Sequence, residues 1–146
     1  MHPNILTTDD DIRALLERTR RIAVLGIKTE AQADQPAFSV PKYLVDVGFD
    51  VIPVPVYYPE VTSILGRPVF RSLMAIEGDI DLIDVFRRPA DLKKHLPDLL
   101  AKHPHAVWLQ LGIRDDAVAE ELAEAGIKVV QDKCIMVEHR RLCAHQ

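Results

Sequence analysis

A continuous apolar run, Ile22-Ala-Val-Leu25, is closed by Gly26 and followed about 25 residues later by a second run, Val51-Ile-Pro-Val-Pro55. Apolar runs of this kind are typical of parallel strands covered on both faces. A strand ending in a glycine turn is the opening of a nucleotide-binding β-α-β unit. At the end of the second strand such units usually carry an Asp or Glu for the ribose hydroxyls of NAD. This chain has Pro53, Val54 and Pro55 there. The missing acid points away from a plain NAD dehydrogenase. It points toward a nucleotide with extra phosphate on its ribose, or one held mainly through its pyrophosphate.

The 146 residues are enough for one domain, 1–146, with a core that needs no metal or disulfide. A net charge of −4 offers no field for nucleic acid, so an anionic ligand must be held by local donors. No apolar run approaches the roughly 20 residues that span a bilayer. The N-terminus also lacks a basic region followed by an apolar core. The expectation is a cytoplasmic protein with neither membrane nor nucleic acid as partner.

Along the chain, Thr7-Thr-Asp-Asp-Asp-Ile reads as a capped helix start that fades at Thr19-Arg20. Gly26 to Gln35 is a polar loop, longer than such connections usually are, and so a candidate ligand loop. Ser39 can cap a second helix, with Pro41 in its first turn and Gly48 at its end. Tyr57 to Arg71 reads as irregular, with a short helical turn over Leu73–Gly78. Leu82 to Phe86 is a third strand, and a third helix runs from Pro89 through Leu100, kinked or restarted at Pro97. Ala106 to Leu111 is a fourth strand, Asp115 to Ala125 a helix, Ile127 to Val130 a fifth strand, and the tail to Leu142 a final helix. The expected fold class is α/β, a Rossmann-like doubly wound parallel sheet of about five strands, ordered 3-2-1-4-5. That order places Gly26 and Gly112 side by side at the switch point, where ligands of such sheets bind.

Gly26 lets the backbone approach a phosphate, and the next helix offers unpaired N–H groups. Ser39 and Lys42 add a hydroxyl and a cation. The full Gly-x-Gly-x-x-Gly is absent, and a strand-ending glycine with no ligand is the plain alternative. Arg87 and Arg88, at the end of the third strand, either grip a phosphate or form a solvated surface pair. Gln110 sits among apolar neighbours and needs partners, which a ligand's amides or a neighbouring loop can supply.

The blocks Val24-Leu-Gly26, Ser39-Val-x-Lys42-Tyr-Leu, Gly48-Phe-x-Val-Ile-Pro53-Val, Asp84-Val-Phe-Arg87, Trp108-x-Gln-Leu-Gly112 and Val130-x-Asp-x-Cys134 occur in this order. Together they resemble the stand-alone CoA-binding domain proteins, which are similar to the N-terminal domain of the succinyl-CoA synthetase alpha subunit. The resemblance implies that coenzyme A lies across the strand ends. Gly26, Ile27 and Lys28 would line its phosphates, while Pro53, Val54 and Tyr57 would bound the nucleotide. Phe86, Arg87, Gln110, Leu111 and Gly112 would wall the pantetheine arm. The chain departs from the family's usual Gly-Ala-Ser with Gly26-Ile27-Lys28, and from its usual Asn-Pro with Pro55-Val-Tyr-Tyr58. The 3′-phosphate on the ribose of coenzyme A agrees with the missing acidic hook.

Cys134 follows the fifth strand between Lys133 and Ile135, where it is either a thiol near the arm of coenzyme A or a small filler. Cys143 carries no assignment. The six histidines form neither a triad nor a metal pattern, and His103-Pro-His105 precedes the fourth strand at the end opposite the crevice. In the synthetase a separate domain carries the ligase chemistry, so the expectation is a binder of CoA or acyl-CoA. It would act as carrier, sensor or partner module without a complete active site, alone, as a homo-oligomer or with a protein partner. The rival is an NAD(P)-binding oxidoreductase or redox sensor. A ligand-free interaction module is a third reading, under which Gly26→Val would leave function intact.

Overall fold

The architecture is that of a computed structural model, which describes residues 1–143; His145 lies outside them. The apolar runs form one parallel sheet of five strands: β1 Arg21–Leu25, β2 Asp50–Val54, β5 Leu82–Val85, β6 Ala106–Leu109 and β7 Lys128–Val130. A two-stranded hairpin, β3 Ser63–Ile64 with β4 Arg67–Pro68, lies between β2 and β5 in sequence. The five-stranded sheet runs β2-β1-β5-β6-β7.

This order corrects the sequence expectation, because the third long strand, β5, pairs with β1 on the side away from β2. Pro53 is the physical reason. Proline has no N–H for a ladder and is confined to edge strands. The Pro53 carbonyl turns outward and accepts from Phe70 N at 2.9 Å, so the missing donor faces the open side of the sheet. The reversal of strand order therefore falls between β1 and β5, and β5 separates Gly26 from Gly112. They are not neighbours.

Alternation along the strands sends two sets of side chains to two cores. Ala23, Leu25, Ile83, Val85, Val107 and Leu109 pack under α3 Leu92–Lys102 and α4 Asp116–Glu124. Ile22, Val24, Leu82, Trp108 and Val130 pack under α1 Asp9–Arg18, α2 Pro36–Asp46 and α5 Ile135–Leu142. The Thr8 hydroxyl accepts from Asp11 N at 3.2 Å, capping α1 as expected.

Two helices differ from expectation. Helix α2 begins at Pro36, with Gln35 as its N-cap, and not at Ser39. The fixed φ of Pro36 suits the first helical position, so Ser39 and Pro41 both lie inside the helix. Helix α3 runs unbroken through Pro97. The interruption comes earlier, in a separate 3-10 turn over Pro89–Asp91. The stretch expected to be irregular contains the β3–β4 hairpin, whose turn residues Leu65 and Gly66 have φ of 55° and 72°. No helix among the described residues is long and apolar enough to cross a membrane.

Candidate functional site

The strand order fixes where the sheet offers a crevice: at the carboxyl ends of β1 and β5, between α2 and α5. A cleft of about 500 Å³ opens there. One wall is α2, which contributes Pro36, Ala37, Ser39 and Val40. Phe86, Arg87 and Arg88 enter from the end of β5, and Gln110, Leu111 and Ile113 from the end of β6. Cys134 and Met136, at the start of α5, close the far side. Lys28 and Gln35 complete the lining, which contains three cationic side chains and no carboxylate. In a chain of net charge −4, this cleft is lined by cations alone among charged side chains.

Of the residues singled out from sequence, the cleft brings together Lys28, Ser39, Phe86, Arg87, Arg88, Gln110, Leu111 and Cys134. The others lie elsewhere. Ile27 is buried in the core at 1% exposure, and Pro53 and Val54 are buried in β2. Gly112 is an exposed loop residue whose N–H donates to Asp132 Oδ1 at 2.7 Å. Lys42 stands on the outer face of α2 in a 2.9 Å ion pair with Asp46. Tyr57 is 60% exposed beside the cleft, with the Arg87 guanidinium 5.7 Å from its ring centroid. Gly26 underlies the site without lining it. Its N–H donates to Val54 O at 2.9 Å, and that of Lys28 donates to Ala37 O at 3.0 Å. Side-chain cations, more than these loop amides, therefore face the cleft.

The cations are held in place from behind. Arg87, only 12% exposed, donates from Nε to His95 Nε2 at 3.1 Å and lies 3.5 Å from Asp91. Asp91 also receives Arg88 at 2.9 Å and Lys94 at 3.1 Å. Hydrogen bonds from Arg88 and Lys94 hold its carboxyl below the usual carboxylate range. Lys28 Nζ donates to the Gln35 side chain. Gln110 is 4% exposed, and its Oε1 accepts from Ile135 N at 3.0 Å. Lys133, next to Cys134, is directed to Glu138 at 3.8 Å. Sequence reading missed Gln35, Pro36, Ile113 and Met136, along with the supports Asp91 and His95. A proline at the first helical position was the available clue to where α2 presents its end; the supports are tertiary contacts with no local signature.

His95 makes the Arg87 arrangement sensitive to acid. Its Nε2 must be unprotonated to accept from Arg87, and burial, then the Arg87 charge, holds the ring below its ordinary value. A depressed folded value means that the unfolded chain takes up the proton first as pH falls. Stability from this group is present above the unfolded value near 6.5 and is lost below it. His105 and His139, also lowered by burial, add to the same trend. In thermal scans between pH 7.5 and 5 the Tm difference, wild type minus His95→Gln, should fall as the pH falls, whatever sense other titrating groups give to either profile. Parallel profiles for the two proteins would refute the His95 contribution.

With the site in view, comparison with known proteins places the chain. The family profile described as "CoA binding domain" matches residues 20–140. This chain belongs to that CoA-binding domain family. It is 33% identical over 129 residues to YneT, an uncharacterized protein of Bacillus subtilis (strain 168), spanning 88% of this chain and 92% of that one. A solved Thermus thermophilus structure, that of cell-free ID.343, superposes with a TM-score of 0.84 at 42% identity, over 93% of this chain and 99% of that one. A hypothetical protein from Pyrococcus horikoshii OT3 superposes with a TM-score of 0.83 at 32% identity, over 97% of this chain and 96% of that one.

Proposed function

We propose that this protein binds coenzyme A or an acyl-CoA in the cleft between α2 and α5, as a carrier, sensor or partner module without a complete active site. The observation that carries the reading is the bipolar lining. Lys28, Arg87 and Arg88 supply charge for phosphates, while Val40, Phe86, Ile113 and Met136 supply an apolar wall for a pantetheine arm. The size lies within the range of small-molecule sites, about 300 to 1,000 Å³. Leu111, 69% exposed, stands at the rim as an apolar side chain that a bound arm would cover. Gln110 and Ser39 offer polar atoms for the arm's amides. Tyr57, beside Arg87, is the aromatic surface available to the nucleotide end. The likeness to the synthetase alpha subunit, with its ligase chemistry in a separate domain, supports a binding role.

Calorimetry with coenzyme A, its 3′-dephospho form and NADH tests this. Coenzyme A should bind, the dephospho form more weakly, and NADH least. Arg87→Ala should weaken coenzyme A binding roughly 10- to 100-fold, since a hydrogen bond to a charged group contributes about 1.5–3 kcal/mol. Tight NADH binding with none for coenzyme A would replace this reading by the NAD(P) one. Binding of neither would leave an interaction module.

A further inference from the structure

Cys134 is the N-cap of α5, and its own side chain makes no capping hydrogen bond. Its thiol is free, half-buried and part of the cleft lining. A second feature of the same corner points to a ligand. Gln110 is 4% exposed and lines the cleft, and its Oε1 is committed to Ile135 N, the first amide of α5. That bond fixes the orientation of the amide group, and its NH2 has no hydrogen-bond partner among the described residues. The NH2 is not a fully buried orphan; it is left open to the cleft that Gln110 lines, as a donor that a ligand carbonyl can take. The bond to Ile135 N holds this donor at the residue that follows Cys134.

We infer that Cys134 is a thiol–disulfide exchange site for coenzyme A disulfides, an inference that rests on the binding reading above. With phosphates at the cations and the arm along the apolar wall, the ligand's sulfur end arrives between Gln110 and Cys134, and Gln110 donates to an amide carbonyl of the arm. The Cys134 thiol gives its proton to solvent, and its sulfur attacks the near sulfur of a CoA–S–S–R disulfide. The Cys134–S–S–CoA bond forms as the S–S bond to R breaks. R departs as a thiolate that takes a proton from solvent. Cys134 is oxidised, the leaving thiol is reduced, and the disulfide is the only oxidant required. The charge spread over the sulfurs in the transition state faces the positive end of α5.

The protein has no thiol of its own to undo this adduct. Its other cysteine, Cys143, lies beyond the opposite end of α5, a helix of eight residues. That is about 12 Å away along the axis, against the roughly 7 Å limit between the α-carbons of a disulfide. Release therefore needs an external reductant, which makes the adduct a record of the oxidised coenzyme A pool.

The test uses the full-length reduced protein, the symmetrical disulfide of coenzyme A, and intact mass under non-reducing conditions. The expected product is one adduct, heavier by one coenzyme A less two hydrogens. It should map to Cys134, be reversed by dithiothreitol, be kept in Cys143→Ser and be lost in Cys134→Ser. Because the cleft concentrates the reagent, coenzyme A disulfide should react roughly tenfold or more faster than glutathione disulfide at equal concentration. Equal rates, or an adduct on Cys143, would overturn the inference. Calorimetry with coenzyme A under dithiothreitol separates the two claims. Binding without adduct formation removes the exchange site and leaves the binding reading standing; no binding removes both.

Discussion

Gly26→Val should unfold a large share of the molecule at ordinary temperature, and Gly26→Ala should already cost about 2–5 kcal/mol. Gly26 has φ of +88°, in the region that L side chains rarely adopt. A left-handed residue costs about 1–2 kcal/mol, more when β-branched. A methyl group there would also stand 2.3 Å from the Phe86 carbonyl oxygen and 3.1 Å from Arg87 Cδ. The carbonyl has no freedom to retreat. Phe86 N donates to Leu25 O at 2.9 Å, while Gly26 N donates to Val54 O at 2.9 Å, so three strand ends are tied together at this point. Overpacking of this kind adds about 1–3 kcal/mol, against a total stability of about 5–15 kcal/mol.

Gly112 provides the comparison. Its φ is +86°, yet nothing lies within 4 Å of its would-be Cβ, so Gly112→Ala should bear the conformational cost alone. Urea unfolding of both variants measures the difference. Equal losses would mean that the Phe86 approach contributes nothing. Because Gly26 is required by the sheet itself, substitution there cannot separate a ligand-binding protein from a ligand-free module. Arg87→Ala, at the cleft surface, can.

The strands were legible because their apolar runs are continuous, and α4 because Asp115 caps it; its side chain accepts from Val118 N at 3.1 Å. The residues that end β1, β5 and β6 were legible for the same reason. Strand order was not, although Pro53 contained the answer: a strand with a proline in its ladder belongs at an edge, which excludes an interior place for β2. The β3–β4 hairpin escaped because its turn puts Leu65 at φ of 55°, where Asn or Asp is the usual marker. Ser39 looked like a cap because its hydroxyl suits one, but Pro36 had already started the helix. Lys42 looked like a phosphate ligand because it follows the glycine loop, but its neighbour one turn on is Asp46, a better-placed partner. In each case a local preference was overruled by a constraint a few residues away or across the sheet. The Arg87–His95 contact joins the end of β5 to α3 and has no pattern to read.

One residue inside a legible strand behaves unlike its neighbours. Asp84 alternates with Leu82 on the α2–α5 face of β5, flanked in register by Val24 and Trp108, and is fully buried. Neither of its carboxyl oxygens has a hydrogen-bond partner. Burial pushes its pKa well above the ordinary value, so the folded protein holds it as the neutral acid. An unfolded Asp titrates near 3.9. Above that pH the unfolded chain has released a proton that the folded one retains. The stability associated with this group is therefore greatest below pH ~3.9 and is lost as pH rises toward and through the folded value. Asp84→Val should consequently stabilise the protein, by at least about 1–3 kcal/mol from the unmade hydrogen bonds. That corresponds to a rise in Tm of roughly 3–10 °C. The gain should be larger at pH 7 than at pH 4, because only the wild-type protein bears the ionisation penalty. Asp84→Asn, which keeps buried polar atoms in the same place, should lose the pH dependence and recover much less stability. A lower Tm for Asp84→Val would show instead that the carboxyl is hydrogen-bonded in the native protein, one pleat below Phe86 and the floor of the cleft.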